Sequence, residues 1–193
     1  MSALALKLYG RRDRLGLKGP RAAQWLAAQG VAVPTTPNTW MQPTGTGAAE
    51  ELLAARLGTA EFFLEEGLTG TTLKRIAPSL DGHPPGVYPV LREDSAFILS
   101  GEQVHDVLAQ VCNVNFAALS LDTRPLIMTL MIGVAVLVVP QNGPGEPGAA
   151  AERRDAGERQ YRIWCDPSFG RYLGESLGAV VIECGGRTTG VSG

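Results

Sequence analysis

Five consecutive residues, Gly174-Glu175-Ser176-Leu177-Gly178, match G-x-S-x-G, the pattern that exposes a nucleophilic serine on a sharp strand-to-helix turn. A hydrolase of that kind needs an acid and then a histidine after the serine, whereas both histidines, His83 and His105, precede it. The motif also closes a predicted helix, so Ser176 reads as a surface residue. His105 and Cys112 lie seven apart on another predicted helix and share a side, the geometry of a two-ligand metal patch. No further ligands accompany them, and a half-buried histidine beside a small apolar cysteine is the plainer reading. Glu61, Glu65, Glu66 and Asp166 have the chemistry of an acid/base pair, but carboxylates scattered along strand edges ordinarily face solvent. Gly45-Thr46-Gly47 lacks the strand, the helix and the third glycine of a dinucleotide fingerprint. Trp25, Trp40 and Trp164, placed singly on a helix, a loop and a strand, read as core or interface anchors. The residues thus yield no catalytic, cofactor-binding or metal-binding set.

The clearest structural unit is SAFILSGEQVHDVLAQVC, residues 95–112. Residues 96–99 form an apolar strand. Ser100 is placed to cap a helix, answered by Gln103, and Val104, Val107, Leu108 and Val111 recur at helical spacing. An earlier copy lies 82 residues before it. There residues 15–18 form a strand, Gly19-Pro20 opens a helix carrying Ala22, Trp25 and Leu26 on one face, and Leu17, Gly19, Leu26 and Ala27 fall on Leu99, Gly101, Leu108 and Ala109. Further along, residues 52–66 read as a strand pair or one bent strand with Gly58 at the turn, and residues 72–77 as a short helix. Residues 87–93 read as a strand, and residues 126–139 as a hairpin around Gly133. Residues 161–165 form a strand, Asp166-Pro167 starts a helix bearing Phe169, Leu173 and Leu177, and residues 180–183 end the series as a strand. Two registers compete for the second half of the repeat: an offset of 75, which sets Gly58 on Gly133, and one of 99, which sets Phe62 on Tyr161.

This reading gives an α+β fold of two tandem halves, each built on a strand, a glycine turn and a helix, with mainly antiparallel sheets. The first half spans residues 1–85 with a basic N-terminal arm, and the second spans 86–184 with a flexible, Gly- and Pro-rich insertion at 140–159. A frayed tail at 185–193 follows, the whole forming one compact body. The 193 residues are 45% hydrophobic, ordinary for a globular core, and a net charge of −2 supplies no general drive toward nucleic acid. Charge is uneven. Residues 1–21 hold six basic side chains against Asp13, a net of +5, while residues 50–66 hold five glutamates against Arg56, a net of −4. Such strips suit either docking or a solvated surface. Three dispersed cysteines indicate neither a disulfide framework nor a zinc knuckle and fit a reduced, cytoplasmic setting. The longest apolar run, residues 126–139, has 14 residues against the roughly 20 needed to span a bilayer.

A helix running into PNTW (residues 37–40), then LGTAEFFLEE (57–66), FILSGEQVHDVLAQVC (97–112) and CDPSFGRYLGESL (165–177), resembles the gamma subunit of heterotetrameric sarcosine oxidase and related N-methyl amine or amino acid oxidases and dehydrogenases. The resemblance implies a fold like part of the aminomethyltransferase folate-binding fold, with the two tandem halves as ferredoxin-like βαβ pieces, and an accessory, non-catalytic role in oxidative demethylation. It also implies large alpha and beta partner subunits holding FAD, FMN, NAD and tetrahydrofolate, and a small delta subunit holding zinc. The substrate, sarcosine or another N-methylated compound, is left open, as is oxidase against dehydrogenase. Arg11, Arg12 and Trp40 are the candidate partner-docking residues, a basic arm and an aromatic on an irregular segment. Two other readings stand beside this one: a stand-alone folate-binding or aminomethyltransferase-like protein, and a ferredoxin-like domain that senses a small molecule.

Overall fold

The computed structural model describes residues 3–42, 52–67, 69–143 and 159–190. In chain order the elements begin β1 (Ala5–Leu8), β2 (Asp13–Lys18), α1 (Ala22–Ala28), β3 (Thr39–Met41), β4 (Leu53–Gly58), β5 (Glu61–Glu66) and α2 (Thr72–Ile76). They continue β6 (Tyr88–Val90), β7 (Ser95–Ser100), α3 (Val104–Val111), β8 (Ile127–Met131), β9 (Val134–Asn142), β10 (Arg159–Cys165), α4 (Gly170–Glu183) and β11 (Arg187–Thr189). Among the described residues no helix is long and apolar enough to cross a membrane.

The chain divides into a flanking unit, Met1–Gly10 with Asp94–Gly193, and an inserted unit, Arg11–Glu93. The sequence boundary at 85/86 therefore falls eight residues early, and the first ten residues belong with the second half. Strand pairing is the reason: β1 lies antiparallel on β7, and β6 lies antiparallel on β2. The flanking unit has a six-stranded sheet ordered β11-β1-β7-β10-β9-β8, the inserted unit a five-stranded sheet ordered β3-β4-β5-β2-β6. Every pairing is antiparallel except β1 with β11, so the α+β class with mainly antiparallel sheets stands as read.

In the flanking unit one sheet face offers Leu6, Leu99, Val138, Tyr161 and Ile163, and α3 (Val104, Val107, Leu108) and α4 (Leu173, Leu177, Val181) close over it as one apolar cluster. The inserted unit repeats this with Leu17, Phe62 and Leu64 under Ala22 and Leu26 of α1 and Leu73 and Ile76 of α2. Alternation along the strands and i, i+4 spacing along the helices produce both cores.

The repeat register is decided by pairing. Leu17 lies opposite Phe62 in one sheet and Leu99 opposite Tyr161 in the other. With Leu17 on Leu99, Phe62 falls on Tyr161, which selects the offset of 99 over that of 75 for these strands. Gly19 (φ +126°) and Gly101 (φ +119°) leave their strands in the same backbone state, one that favours glycine.

Four local expectations are corrected. Ser100 and Gln103 form no capping box: residues 101–103 are a turn, α3 begins at Val104, and Gln103 is itself the N-cap with no side-chain hydrogen bond. Residues 180–183 are helix, because Val181 prolongs the buried 173–177 stripe by one turn and this packing overrides the strand preference of Val-Val-Ile. Gly185 (φ +78°) then ends the helix, with Gly185 N donating to Ile182 O and Gly186 N to Val181 O, a Schellman closure. The tail is not frayed where described: β11 lies parallel on β1, and Arg187 N donates to Leu4 O. The ends of the predicted insertion are strand, Pro140 pairing with Tyr161 and Arg159 with Asn142. Residues 144–158 lie outside the described residues.

Candidate functional site

Of the sequence candidates, the structure gives His105 a specific partner. It sits half-buried on the first turn of α3, and its Nε2 is 2.7 Å from the hydroxyl of Tyr161 on β10. Tyr161 is 1% exposed, and Phe116 meets its ring edge-on with centroids 5.4 Å apart. Burial, then the Arg159 guanidinium, lowers the His105 pKa, while Asp106 pulls the other way. Burial pushes the Tyr161 phenol up to about 12. At neutral pH the imidazole is therefore uncharged and the phenol protonated, so in the Nδ1–H tautomer the phenol donates to Nε2. Sequence reasoning missed Tyr161, whose only signal was its place on the inward face of a strand.

Cys112 does not join His105. It is the C-cap of α3, buried, with its Sγ 3.7 Å from Thr129 Oγ1. Cys165 is a protonated thiol in the core, pushed up to about 11 by burial and then by Asp94 and Asp166. No group of three or more His, Cys, Asp or Glu able to hold a metal ion occurs among the described residues. Ser176 is in mid-helix, between Glu175, which pairs with Arg171 at 2.8 Å, and the buried Leu177, so G-x-S-x-G forms no elbow here. Gly45-Thr46-Gly47 lies outside the described residues.

The carboxylates of the inserted unit overturn their reading as solvent-facing groups. Glu65 is 2% exposed and Glu66 fully buried. The antiparallel register of β2 on β5 sets Arg14 opposite Glu65 and Lys18 opposite Glu61, so basic residues of 13–18 meet glutamates of 61–66 across two neighbouring strands. Arg14 Nε donates to Glu65 Oε2 at 2.7 Å, and Lys18 Nζ lies 3.3 Å from Glu61 Oε1. Glu66 accepts the backbone N–H groups of Thr72 and Leu73 at 3.0 and 2.9 Å, supplying from a neighbouring strand the acceptor that α2 lacks at its own N-cap. Asp166 is exposed and caps the turn before α4 by accepting from Ser168 N.

The docking candidates also move. Residues 13–18 form a central strand, so the basic segment is no arm; Arg11 before it is exposed and Arg12 half-buried. Trp40 is 9% exposed, because it lies in β3 opposite Ala55 rather than on an irregular crossing segment. Trp164 is 1% exposed on β10, and Trp25 is half-buried on α1.

No protein-family model matches the chain, and no curated protein matches it in sequence. Solved structures do match in fold. Glycine cleavage system aminomethyltransferase T from Bartonella henselae aligns at a TM-score of 0.65 and 16% identity over 97% of this chain, which spans about half (48%) of that one. A chain of heterotetrameric sarcosine oxidase from Corynebacterium sp. U-96 aligns at a TM-score of 0.65 and 22% identity, covering 92% of this chain and 83% of that chain. The fold is that shared by these two proteins. It places two αβ units in one polypeptide, with the His105–Tyr161 pair in one and the Arg14–Glu65 and Glu66 contacts in the other.

Proposed function

We propose that this chain is an accessory, gamma-type subunit of a heterotetrameric flavin-dependent oxidase or dehydrogenase that demethylates sarcosine or another N-methylated amine or amino acid. In this reading FAD, FMN, NAD, tetrahydrofolate and zinc belong to partner subunits, and this chain lends no group to the transition state. The observation that carries it is the near end-to-end correspondence with a chain of heterotetrameric sarcosine oxidase, against half of the aminomethyltransferase. The groups with chemical potential support it by how they are spent. Tyr161 is committed to His105, Glu65 to Arg14, and Glu66 to the start of α2.

Purification from the native source under mild conditions tests the reading. Large flavoprotein partners are expected in stoichiometric amount, and His105→Gln, Cys112→Ala and Ser176→Ala should each leave turnover per assembled particle within about twofold of wild type. A lone chain carrying a folate spectrum would assign it instead to the folate-binding class. A large fall in turnover with assembly intact would assign chemistry to this chain.

A further inference from the structure

The two sheets have four edge strands among the described residues: β11, β8, β3 and β6. Sheet edges display unpaired backbone donors and acceptors, and proteins protect them by brevity, charge or proline. Three of these edges are protected. β11 and β3 have three residues each, with Arg187 on the first, and β6 has three with Pro89 at its centre. The fourth is not: β8, Ile127–Met131, is five residues of IMTLM with no charge and no proline. Met128 and Leu130 on it are 54% and 61% exposed.

The hairpin fixes which backbone groups face outward. Ile132 (φ +50°) and Gly133 (φ +80°) form a two-residue turn of type I′ between the paired Met131 and Val134. The closing pair of such a turn exchanges both hydrogen bonds, and the pattern then alternates. Met131, Thr129 and Ile127 therefore bond inward to β9, and the N–H and C=O groups of Met128 and Leu130 point away from it. The two residues with exposed side chains are also the two with outward backbone groups. Their side chains share a sheet face with Leu137 and Ala135, their partners on β9.

We infer that β8 pairs antiparallel with β8 of a second copy of this chain, about a twofold axis at Thr129. The strand is self-complementary in that register, which alone pairs the outward groups of both Met128 and Leu130 within the strand. Met128 of one copy meets Leu130 of the other in two hydrogen-bonded pairs, Ile127 meets Met131, and Thr129 meets itself in a pair without hydrogen bonds, where a local twofold is allowed. Four apolar side chains that are each more than half exposed then cover one another, and no charge is brought to the seam. A shift by one residue would set inward backbone groups against outward ones and forfeit the bonds. This pairing is independent of the accessory-subunit reading.

Sedimentation velocity of the purified full chain over a concentration series, with amide hydrogen exchange by NMR, tests it. A reversible dimer is expected, in which the Met128 and Leu130 amides gain protection with concentration while that of Thr129 is protected throughout. Leu130→Lys should weaken dimerisation at least about tenfold and leave the unfolding temperature of the dilute chain unchanged, because the residue faces solvent there. Met128→Lys serves as the second variant should the first fail to fold. A chain that stays monomeric at every concentration overturns the proposal, as does a dimer indifferent to both lysines or one in which the two amides exchange freely. Protection of those amides only by a chain of different sequence would assign the edge to that partner and likewise overturn it.

Discussion

The flanking and inserted units place different chemistry on one framework, and the register makes the exchange readable residue by residue. Where the inserted unit sets Arg14 opposite Glu65, the flanking unit sets Ala96 opposite Trp164. Where the flanking unit joins His105 to Tyr161, the inserted unit has Ala23 and Phe62 at the matching offsets of 82 and 99. Each polar pair in one unit is matched by an apolar pair in the other, with the helices over the same sheet face in both. What this framework requires is complementary partners at a position, whether joined by charge, by a hydrogen bond or by packing. A buried polar pair is thus a local solution to filling space, and its presence alone does not mark a catalytic site.

That comparison is broken most forcefully at Glu65. Glu65→Ala removes the carboxylate from a buried guanidinium and should lower stability by about 3–5 kcal/mol. The double change Arg14→Ala with Glu65→Trp copies the other unit's pair and should recover most of the loss. Urea unfolding of both variants checks this, and a double variant as unstable as the single one would mean the two units are not interchangeable at this position.

The shared turn comes next. Gly19→Ala drives a methyl group against the Gly86 carbonyl, and Gly101→Ala brings one to 2.6 Å from Leu4 Cα, both in backbone states that disfavour side chains. Each should cost at least about 2 kcal/mol, whereas Gly133→Ala, with positive φ but open space around it, should cost about 1 kcal/mol. Thermal unfolding of the three variants ranks them.

A smaller effect than at Gly19 or Gly101 is expected at His105. His105→Ala leaves the buried Tyr161 hydroxyl without its acceptor and should cost about 1–2 kcal/mol, which a further Tyr161→Phe change, completing the inserted unit's pair, should largely restore. The pair also has a pH signature. The folded state holds His105 below its ordinary value of 6.5, so on acidification the unfolded chain takes up the proton first. Stability should therefore fall as pH drops through 6.5 toward the folded pKa, and level off below it. Urea unfolding between pH 5 and 8, about one and a half units either side of the ordinary imidazole value, should show this slope in wild type and a smaller one in the double variant His105→Ala with Tyr161→Phe.

Local pattern carried most of the architecture. The apolar run at residues 96–99, the β-favouring cluster at 61–66, helical spacing at 104–111 and the glycines at 19 and 101 are short-range signals, and the corresponding strands, helices and turns form as read. Periodicity failed where packing outweighed preference, as at Val180 to Ile182, whose β-favouring residues are drawn into α4 by the buried stripe. Composition failed in the tail, where a Gly- and Thr-rich segment becomes β11 because β1 offers it an edge.

The sequence by itself determined the α+β class, the internal repeat and the two apolar faces, because each depends on the order of apolar and polar residues along a few turns or strand steps. Only the tertiary structure decided which polar groups meet. Arg14 and Glu65 are 51 residues apart, and His105 and Tyr161 56 apart. Contact at such separations depends on the pairing order of whole strands, and a shift of one residue along its strand would turn Arg14, Glu65 or Tyr161 to the opposite face. The same order leaves β8 at an open edge and seals Trp40 within β3, so burial, edge position and partner choice belong to the sheet and not to the residues taken singly.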